Sequence, residues 1–283
     1  MPMDTLLDEL KKRKREALSM GGEVKLEKRR QEGFMNARER IEYLFDENTF
    51  LESGLLAKAI HPEVRHKSPA DGKIAGYGQI NGREATVVAN DFTVLGASSS
   101  IINMKKMRHM KEMAIKRGIP WILLGESTGA RMPDRMGAAG RATMGQDPTE
   151  YRRMREVPVV SALLGECYGS STWYTVVSDI TVMRKGAHMA VASSRVTSIA
   201  IGQPVDPEAL GGWRLHSETT GLADIVVEDD REALDTIKRI LGYLPANAQQ
   251  PPPEYDVTPG SGQETDRLLD IIPEQSKRGY NVL

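Results

Sequence analysis

The 283-residue sequence contains a single cysteine, Cys167, and no marked excess of either charge. One thiol excludes an internal disulfide, a cysteine-rich zinc ribbon and an iron–sulfur cluster held by one copy of the chain. The five histidines show no metal-ligand spacing, so we expect no metal site. With 38 basic and 39 acidic residues, the net charge is −1. The chain therefore lacks a global basic field that would attract nucleic acid.

Long apolar stretches are also missing. No run approaches the roughly 20 apolar residues that cross a bilayer, and the first residues are charged rather than an apolar signal core. We therefore expect a cytoplasmic protein with no membrane partner. The composition that remains is that of an ordinary globular protein, 40% hydrophobic and 27% charged. Its length suits one large domain or two small ones, since domains usually have about 100–200 residues.

The texture of the sequence changes along the chain. Thr5–Leu18 is a strongly charged helical pattern with one leucine stripe, typical of a solvated helix, and Ala37–Phe45 is a second predicted helix. Turn signals between Ala70 and Val94 predict strands and hairpins. Beyond Pro245, clusters of proline and glycine are typical of a linker. The predicted segments are a helical extension at 1–35, a domain at 36–245 and a linker-like tail at 246–283.

From about residue 100, predicted helices and strands alternate. A helix at Ser100–Arg117 precedes strands at Ile119–Leu124 and Val157–Leu164. A strand at Asp224–Val227 and a helix at Arg231–Tyr243 follow them. This alternation predicts a layered α/β domain, in which the strand ends deliver loops to one edge of the sheet.

Two turns rich in small residues follow the two central predicted strands. The first, Gly125–Arg131, reads Gly-Glu-Ser-Thr-Gly-Ala-Arg, and the second, Gly165–Ser171, reads Gly-Glu-Cys-Tyr-Gly-Ser-Ser. Free N–H groups there, with the dipole of a following helix, would favour an anion such as the enolate oxygen of a thioester. Two such turns could build one pocket. Plain strand-to-helix connections would, however, have the same composition.

Several motifs in a fixed order resemble one enzyme family. They are Ala37–Ile41, Asp91–Val94, Glu126–Arg131, Gly165–Asp179, Glu208–Gly212 with His216 and Gly221, Asp270–Glu274, and Tyr280–Asn281. Together they extend over about residues 36–282. This order resembles the amino-terminal half of the carboxyltransferase β subunits of the biotin-dependent propionyl-CoA and methylcrotonyl-CoA carboxylases.

The resemblance implies a crotonase-like fold of stacked ββα units whose amino-terminal half holds an acyl-CoA. In that family, the carboxyl-terminal half of a neighbouring subunit receives carboxybiotin. The implied partners are therefore a separate carboxyl-terminal-half subunit and a biotin carboxyl carrier, in a hetero-oligomer. By position, the backbone N–H groups of Thr128 and Gly129 would form an oxyanion hole. The remaining implied substrate contacts are Ser127, Ala130, Arg131, Gly169, Ser170, Ser171, Trp173 and Tyr174.

The sequence departs from the family pattern at these turns. Ser127–Gly129 and Gly169–Ser171 stand where the family has glycine pairs, and Gly96–Ser98 stands where it has Gly-Gly-Ser. Trp173–Thr175 replaces a Tyr-Ser-Pro run. The two aromatic residues could narrow the acyl pocket or stack on a flat acyl group, or they could pack inside a helix. We therefore expect a reshaped pocket.

The predicted helix at Ser100–Arg117 has a structural and a functional interpretation. Its methionines recur every third residue and are expected to pack in the core, in preference to lining a ligand groove; they are Met104, Met107, Met110 and Met113. Lys105 and Lys106 could contact the phosphates of coenzyme A, or could belong to a solvated face.

Three other features also have two interpretations. Glu126 could act as a base, although fixing the turn through hydrogen bonds is the favoured role. Cys167 is expected to be a buried small residue, because no histidine lies near it in sequence to activate a nucleophile. Arg131–Asp147 could form a lid, with an ordinary surface loop as the default.

These patterns predict an acyl-CoA carboxyltransferase subunit that works only with a partner. A thioester enolate, stabilised at Thr128 and Gly129, would capture CO2 released from carboxybiotin. Two alternatives stay open. A biotin-independent acyl decarboxylase subunit would use the same enolate site, and a non-catalytic subunit would only scaffold an active paralogue.

Overall fold

The computed structural model describes residues 2–142, 154–256, 271–275 and 277–280. The chain forms two units, Met1–Pro252 and Pro253–Leu283, and every helix and strand named below belongs to the first. Among the described residues, no helix is both long and apolar enough to span a membrane. The three segments predicted from composition stay a prediction.

Helices occupy both ends of the first unit and the connections between its strands. They are α1 (Met3–Leu18), α2 (Glu23–Gln31), α3 (Ala37–Leu44), α4 (Pro62–Arg65), α5 (Ile101–Arg117), α6 (Met132–Arg135), α7 (Gly137–Ala142), α8 (Ser170–Val176), α9 (Ser194–Ile201), α10 (Pro207–Gly211) and α11 (Asp230–Tyr243). Short 3₁₀ turns lie at Pro69–Gly72 and Leu95–Ala97, and a π-helical turn lies at Leu215–Thr219.

The strands form one sheet. They are β1 (Leu51–Ser53), β2 (Lys73–Ile80), β3 (Arg83–Asn90), β4 (Trp121–Thr128), β5 (Val159–Tyr168), β6 (Ile180–Arg184), β7 (His188–Ala190) and β8 (Ile225–Val227). The order is β1-β2-β3-β4-β5-β6-β8, and β7 pairs with the end of β5. The pairs β1–β2 and β2–β3 are antiparallel, whereas the pairs from β3 to β8 are parallel. The α/β prediction is thus confirmed.

Both faces of the central strands are buried, and alternate residues face opposite helices. Val87 and Ile122 belong to the core cluster that includes α3 and α11. Val88 and Leu123 belong to the cluster on the other face, with α5 and α8. The predicted methionine face of α5 is confirmed, because Met104, Met107 and Met110 are buried in this second cluster and Met113 packs against it.

Capping explains why two helix predictions have nearly correct bounds. The Asn36 side chain accepts from the Arg38 and Glu39 amides, and the Glu39 carboxylate accepts from the Asn36 amide, which forms a capping box. At α5, Ser100 plays the same part. That helix ends at Gly118, whose φ of 65° favours glycine.

Two predicted boundaries are wrong. The strands expected to end at Leu124 and Leu164 continue to Thr128 and Tyr168. After an irregularity between Gly125 and Ser127, the parallel pairing resumes and joins Thr128 to Tyr168. Backbone pairing does not require apolar side chains, so the polar, glycine-containing ends of these strands resembled turns in the sequence. Helix α2 was also missed, because its nine residues are mostly charged and none is buried.

Candidate functional site

The two turns singled out in the sequence meet at the carboxyl ends of β4 and β5. Gly129 has φ 99° and Gly169 has φ 67°, conformations that an L side chain rarely adopts. A Cβ on Gly169 would lie 3.2 Å from the Gly129 Cα, and one on Gly96 would lie 2.6 Å from the Thr128 Cγ2. Three backbone segments, around Gly96, Gly129 and Gly169, therefore pass in close contact.

Hydrogen bonds fix the first turn. The Ser99 amide donates to the Gly129 carbonyl (2.8 Å), and the Arg131 amide donates to the Ser99 carbonyl (2.9 Å). Ser99 thereby forms a parallel bridge to Ala130. The Gly129 amide donates to Ser127 Oγ at 3.1 Å. The Gly129 N–H group, predicted to hold an oxyanion, thus already has an acceptor within its own turn.

The second turn leads directly into α8. The Gly169 amide donates to the Val191 carbonyl (3.2 Å), and the Trp173 amide donates to the Gly169 carbonyl (3.3 Å). The Ser170 and Ser99 hydroxyl groups are hydrogen bonded. This bond joins the second turn to the segment that holds the first.

The predicted contact residues differ in exposure. Thr128 and Ala130 are exposed, Gly169 and Ser170 are half-buried, and Ser171 is buried. The two aromatic residues separate. Trp173 is 48% exposed, whereas Tyr174 is buried in the α5–α8 core, with its ring in an edge contact with Trp121 at 5.8 Å. Trp173 therefore lies on the surface beside the turns, and Tyr174 lies beneath them.

Glu126 is buried in an ion-pair cluster on the α3–α11 face of the sheet. Its Oε1 accepts from Arg29 of α2 at 2.6 Å and from Arg40 of α3 at 2.9 Å. Arg40 also contacts Asp230 at 2.8 Å, and Asp230 contacts Arg184 at 2.8 Å. We call these five residues the Glu126 cluster. Its contacts are those of a carboxylate that fixes the end of β4, which is the structural role favoured from the sequence.

The effect of the carboxylates of the Glu126 cluster is clearest at Arg40. Complete burial disfavours its charged form, but the Glu126 and Asp230 carboxylates outweigh that effect and raise the pKa of the guanidinium. Two carboxylates thus hold one buried cation in place. Helix α2, which the sequence did not reveal, supplies a second cation through Arg29.

A second buried cluster lies on the opposite side of the turns and consists of Asp71, Lys73, Lys106 and Arg131. We call it the Lys73 cluster. The Arg131 guanidinium pairs with Asp71 and donates to the Ser98 carbonyl at 3.1 Å. Lys106 donates to the Ala70 carbonyl at 2.9 Å and to the Lys73 carbonyl. Its ammonium group therefore points into the protein, whereas Lys105, the other lysine predicted to bind phosphate, is exposed.

Two short 3₁₀ turns near the Lys73 cluster have unusual backbone conformations. Ala70 and Asp71 have φ values of 47° and 49°, and Leu95 and Ala97 have φ values of 51° and 49°. Left-handed conformation costs residues other than glycine roughly 1–2 kcal/mol each, and such strain concentrates at functional sites. Both strained turns lie against the segment that supports Thr128 and Gly129. Cys167 is fully buried, and its burial raises the pKa of its thiol to about 12. Its predicted burial is confirmed.

A cleft of about 600 Å³ lies next to the first turn, between α2 and the strand ends. Its lining includes Lys25, Lys28, Phe34, Phe92 and Gly96. Gly96 also accepts a hydrogen bond from the Thr128 hydroxyl at 3.3 Å, so the cleft reaches the first turn. Residues 143–147 of the predicted lid lie outside the described part of the chain, and within residues 132–142 the same segment forms α6 and α7.

Residues 28–283 match the family model described as a carboxyl transferase domain. The propionyl-CoA carboxylase carboxyltransferase subunit of Haloferax mediterranei is 33% identical over 290 residues, covering 100% of this chain and 55% of that protein. The methylmalonyl-CoA decarboxylase subunit alpha of Propionigenium modestum is 30% identical, covering 95% of this chain and 53% of that protein. The chain thus spans about half the length of the curated relatives it matches.

The fold has a close match among solved structures. The crystal structure of a transcarboxylase 12S hexamer assembly, with methylmalonyl-coenzyme A and methylmalonic acid bound, superposes with a TM-score of 0.83 at 29% identity. The match covers 100% of this chain and 56% of that one. The predicted crotonase-like fold is confirmed.

Proposed function

Since the chain belongs to the carboxyl transferase domain family, we propose that it is the acyl-CoA-binding subunit of an acyl-CoA carboxyltransferase. The single observation that carries this proposal is the convergence of the two turns, which pass so closely that a Cβ on Gly169 would lie 3.2 Å from the Gly129 Cα. A thioester carbonyl placed there would meet backbone N–H donors at the end of a strand and at the start of α8. Such donors stabilise the negative charge that develops on an enolate oxygen.

In the proposed reaction, the chain binds the acyl-CoA and holds its enolate oxygen at Thr128 and Gly129. Carboxybiotin on a partner protein would supply the carboxyl group, and no residue of this chain is assigned to biotin. The thioester oxygen has to compete with Ser127 Oγ for the Gly129 amide. The Ser127 hydroxyl already donates to the Ala97 carbonyl at 3.3 Å, so release of that amide would need a different Ser127 rotamer, which moves Oγ away from it. Trp173 would form the exposed wall of the acyl pocket.

The test compares two substitutions at one position. Thr128→Pro removes the backbone N–H, and Thr128→Ala retains it while removing the side chain. If this amide holds the oxyanion, turnover of acyl-CoA by the complex with its partner should fall by a factor on the order of 10²–10³ in the proline variant only. Equal turnover in both variants, with circular dichroism spectra that match the parent, would remove the Thr128 amide from the mechanism.

Decarboxylation is the second candidate reaction, because a methylmalonyl-CoA decarboxylase subunit is 30% identical to this chain. Both directions pass through the same enolate, so the Thr128 comparison does not separate them. Two incubations of the complex separate the two reactions. One contains acyl-CoA and carboxybiotin, and the other contains a carboxyacyl-CoA alone. Release of CO2 from the carboxyacyl-CoA without biotin would favour the decarboxylase, and no turnover under either condition would favour the scaffold alternative.

The proposed partner is a second crotonase-like subunit equivalent to the carboxyl-terminal half of the longer relatives. An apolar surface borders the two turns. One part of it lies on α8 and the other on Val191 and α9, and the hydrogen bond between Gly169 and Val191 joins them. Its exposed members are Trp173, Val176, Val191, Val196, Ile199 and Ile201, with Ile199 at 75% exposure. Apolar patches of this kind usually mark interfaces. A subunit covering this patch would also close the site over the acyl group.

Co-expression tests the partner. Purified alone, the chain should self-associate and be inactive, whereas the pair should give a stable complex with an interface on the order of 2,000 Å² or more. Ile199→Asp should prevent the complex, while Val24→Asp, at an exposed position on α2, should not. Full turnover by a monodisperse preparation of this chain alone would contradict the partner proposal.

A further inference from the structure

Lys73 begins β2, and its side chain is fully buried. Its Nζ donates to the side-chain oxygen of Asn90 at 2.6 Å. The next residues of the strand, Ile74 and Ala75, are buried and apolar. A core position in such a strand would ordinarily hold an apolar residue, because burying an ammonium group is costly even when it is hydrogen bonded.

Asn90 connects Lys73 to both turns of the candidate site. It is the last residue of β3, and its amide nitrogen donates to the Glu126 carbonyl at 2.8 Å and to Ser171 Oγ at 3.3 Å. Glu126 lies two residues before Thr128, and Ser171 lies one residue after Ser170. One side chain therefore bridges the strand that leads into the first turn and the helix that follows the second.

The charges that face Lys73 do not compensate it fully. Asp71 is the carboxylate of the Lys73 cluster, and it is already paired with Arg131. Lys106 from α5 adds a further cation, and Cys167 from β5 is a neutral thiol. Burial lowers the pKa of the Lys73 ammonium to about 7, and the Asp71 carboxylate only partly opposes that effect. A group retained under such conditions next to a site is a candidate for a functional role.

We propose that Lys73 is a positioning residue, which fixes the separation of the two turns through Asn90. The ammonium orients the Asn90 amide so that its oxygen faces Nζ and its nitrogen faces Glu126 and Ser171. The backbone donors of both turns are then held at the spacing that a thioester enolate requires. The effect of Lys73 on catalysis rests on the proposed function. Its effect on the spacing of the two turns does not.

The test uses two substitutions of equal length. Lys73→Gln retains an N–H donor for Asn90, and Lys73→Met does not. In the complex with its partner, Lys73→Met should lower kcat for acyl-CoA on the order of 10- to 100-fold, because small misplacements of catalytic groups have effects of this size. KM should stay near the parent value, since the affected donors act in the transition state. Lys73→Gln should recover part of the loss.

Stability and hydrogen exchange separate positioning from a merely structural role. Lys73→Met should melt at or above the parent temperature, because it removes a buried charge. Amide hydrogens at 125–131 and 169–175 should nevertheless exchange faster, on the order of tenfold. The matched control is Arg83→Met at the opposite end of β3, where the guanidinium donates to the Leu241 and Leu244 carbonyls. It should lower the melting temperature and leave kcat and the exchange of both turns unchanged.

Parent-like kcat and exchange in Lys73→Met would overturn the proposal. So would a loss of kcat that Arg83→Met reproduces. If the parent complex neither binds nor turns over acyl-CoA, the proposed function fails, and the exchange of the two segments in the chain alone still decides whether Lys73 positions them. Unchanged exchange in that case would also overturn the inference.

Discussion

The Glu126 and Lys73 clusters lie on opposite sides of the same two turns, and they treat buried charge differently. In the Glu126 cluster, each arginine has a carboxylate oxygen within 2.9 Å. In the Lys73 cluster, Asp71 pairs with Arg131, and the two lysines donate to amide and carbonyl oxygens instead. In the first cluster every cation has a carboxylate partner, although three arginines share two carboxylates. In the second cluster the two lysines have only neutral oxygens as hydrogen-bond acceptors.

This difference indicates different roles. The arginine–carboxylate pairs of the Glu126 cluster join distant parts of the chain, since they connect α2, α3, β4, β6 and the start of α11. A buried ammonium group without a carboxylate partner destabilises the fold while it is charged, and the lowered pKa of Lys73 reflects that cost. Stability is therefore concentrated on the Glu126 side of the turns, and the strain and unpaired charge on the Lys73 side. The second pattern is the one that accompanies functional sites.

The largest effect is expected from breaking the Glu126 cluster at its centre. Arg40→Met removes the fully buried cation that Glu126 and Asp230 share and leaves each carboxylate with one partly exposed arginine, so it should lower the free energy of unfolding by about 3 kcal/mol. Urea denaturation of the chain at pH 7 measures it. Arg13→Met, which removes an exposed helical ion pair with Glu9, should leave the denaturation midpoint unchanged. If both variants unfold like the parent, the cluster does not stabilise the fold.

Substitution of Lys73 should raise the free energy of unfolding instead of lowering it, and the gain should depend on pH. Below pH 7 the folded and unfolded states both carry the Lys73 proton, so the whole cost of burying the charge is present. Between pH 7 and pH 10 the unfolded state binds a proton that the folded state has lost, and parent stability from this group rises with pH.

Lys73→Met lacks that contribution. Its stability advantage over the parent should be largest near pH 6 and shrink by on the order of 2 kcal/mol between pH 7 and pH 9. Urea unfolding of both proteins across this range gives the difference, in which the other titrating groups cancel. A difference that does not vary with pH would mean that Lys73 keeps an ordinary pKa, and the contrast between the clusters would disappear.

The smallest effect should come from Arg29, a partly exposed member of the Glu126 cluster. Arg29→Met leaves Glu126 paired with Arg40, so the loss of stability should be about 1 kcal/mol. Helix α2 should detach locally, because Arg29 joins it to Glu126 and stacks on Phe34 at 3.8 Å. Limited proteolysis should then cleave within Glu23–Gln31 sooner than in the parent. Equal cleavage rates would show that α2 is held by other contacts.

Features that depend on neighbouring residues were predictable from the sequence, whereas contacts between residues far apart in the chain were not. The bounds of α3 and α5 were predicted from helical patterns to within a residue at each end, and Gly129 and Gly169 correctly marked the places where the chain turns. The pairing of Arg29 with Glu126 was not predictable, because no pattern relates residues 97 positions apart. Lys73 was missed for the same reason. A lysine that opens an apolar strand was the available signal, but only the neighbouring strands and α5 determine that it is buried.

The Arg40 contacts have a consequence for synthesis on the ribosome. Arg40 donates to Glu126 and to Asp230, which follow it by 86 and 190 residues. At roughly 5–20 residues per second, the last of these partners is made about 10–40 s after the arginine. Until then, the guanidinium cannot enter the core with its final partners. Helix α3 therefore cannot make its final buried contacts until translation has reached α11.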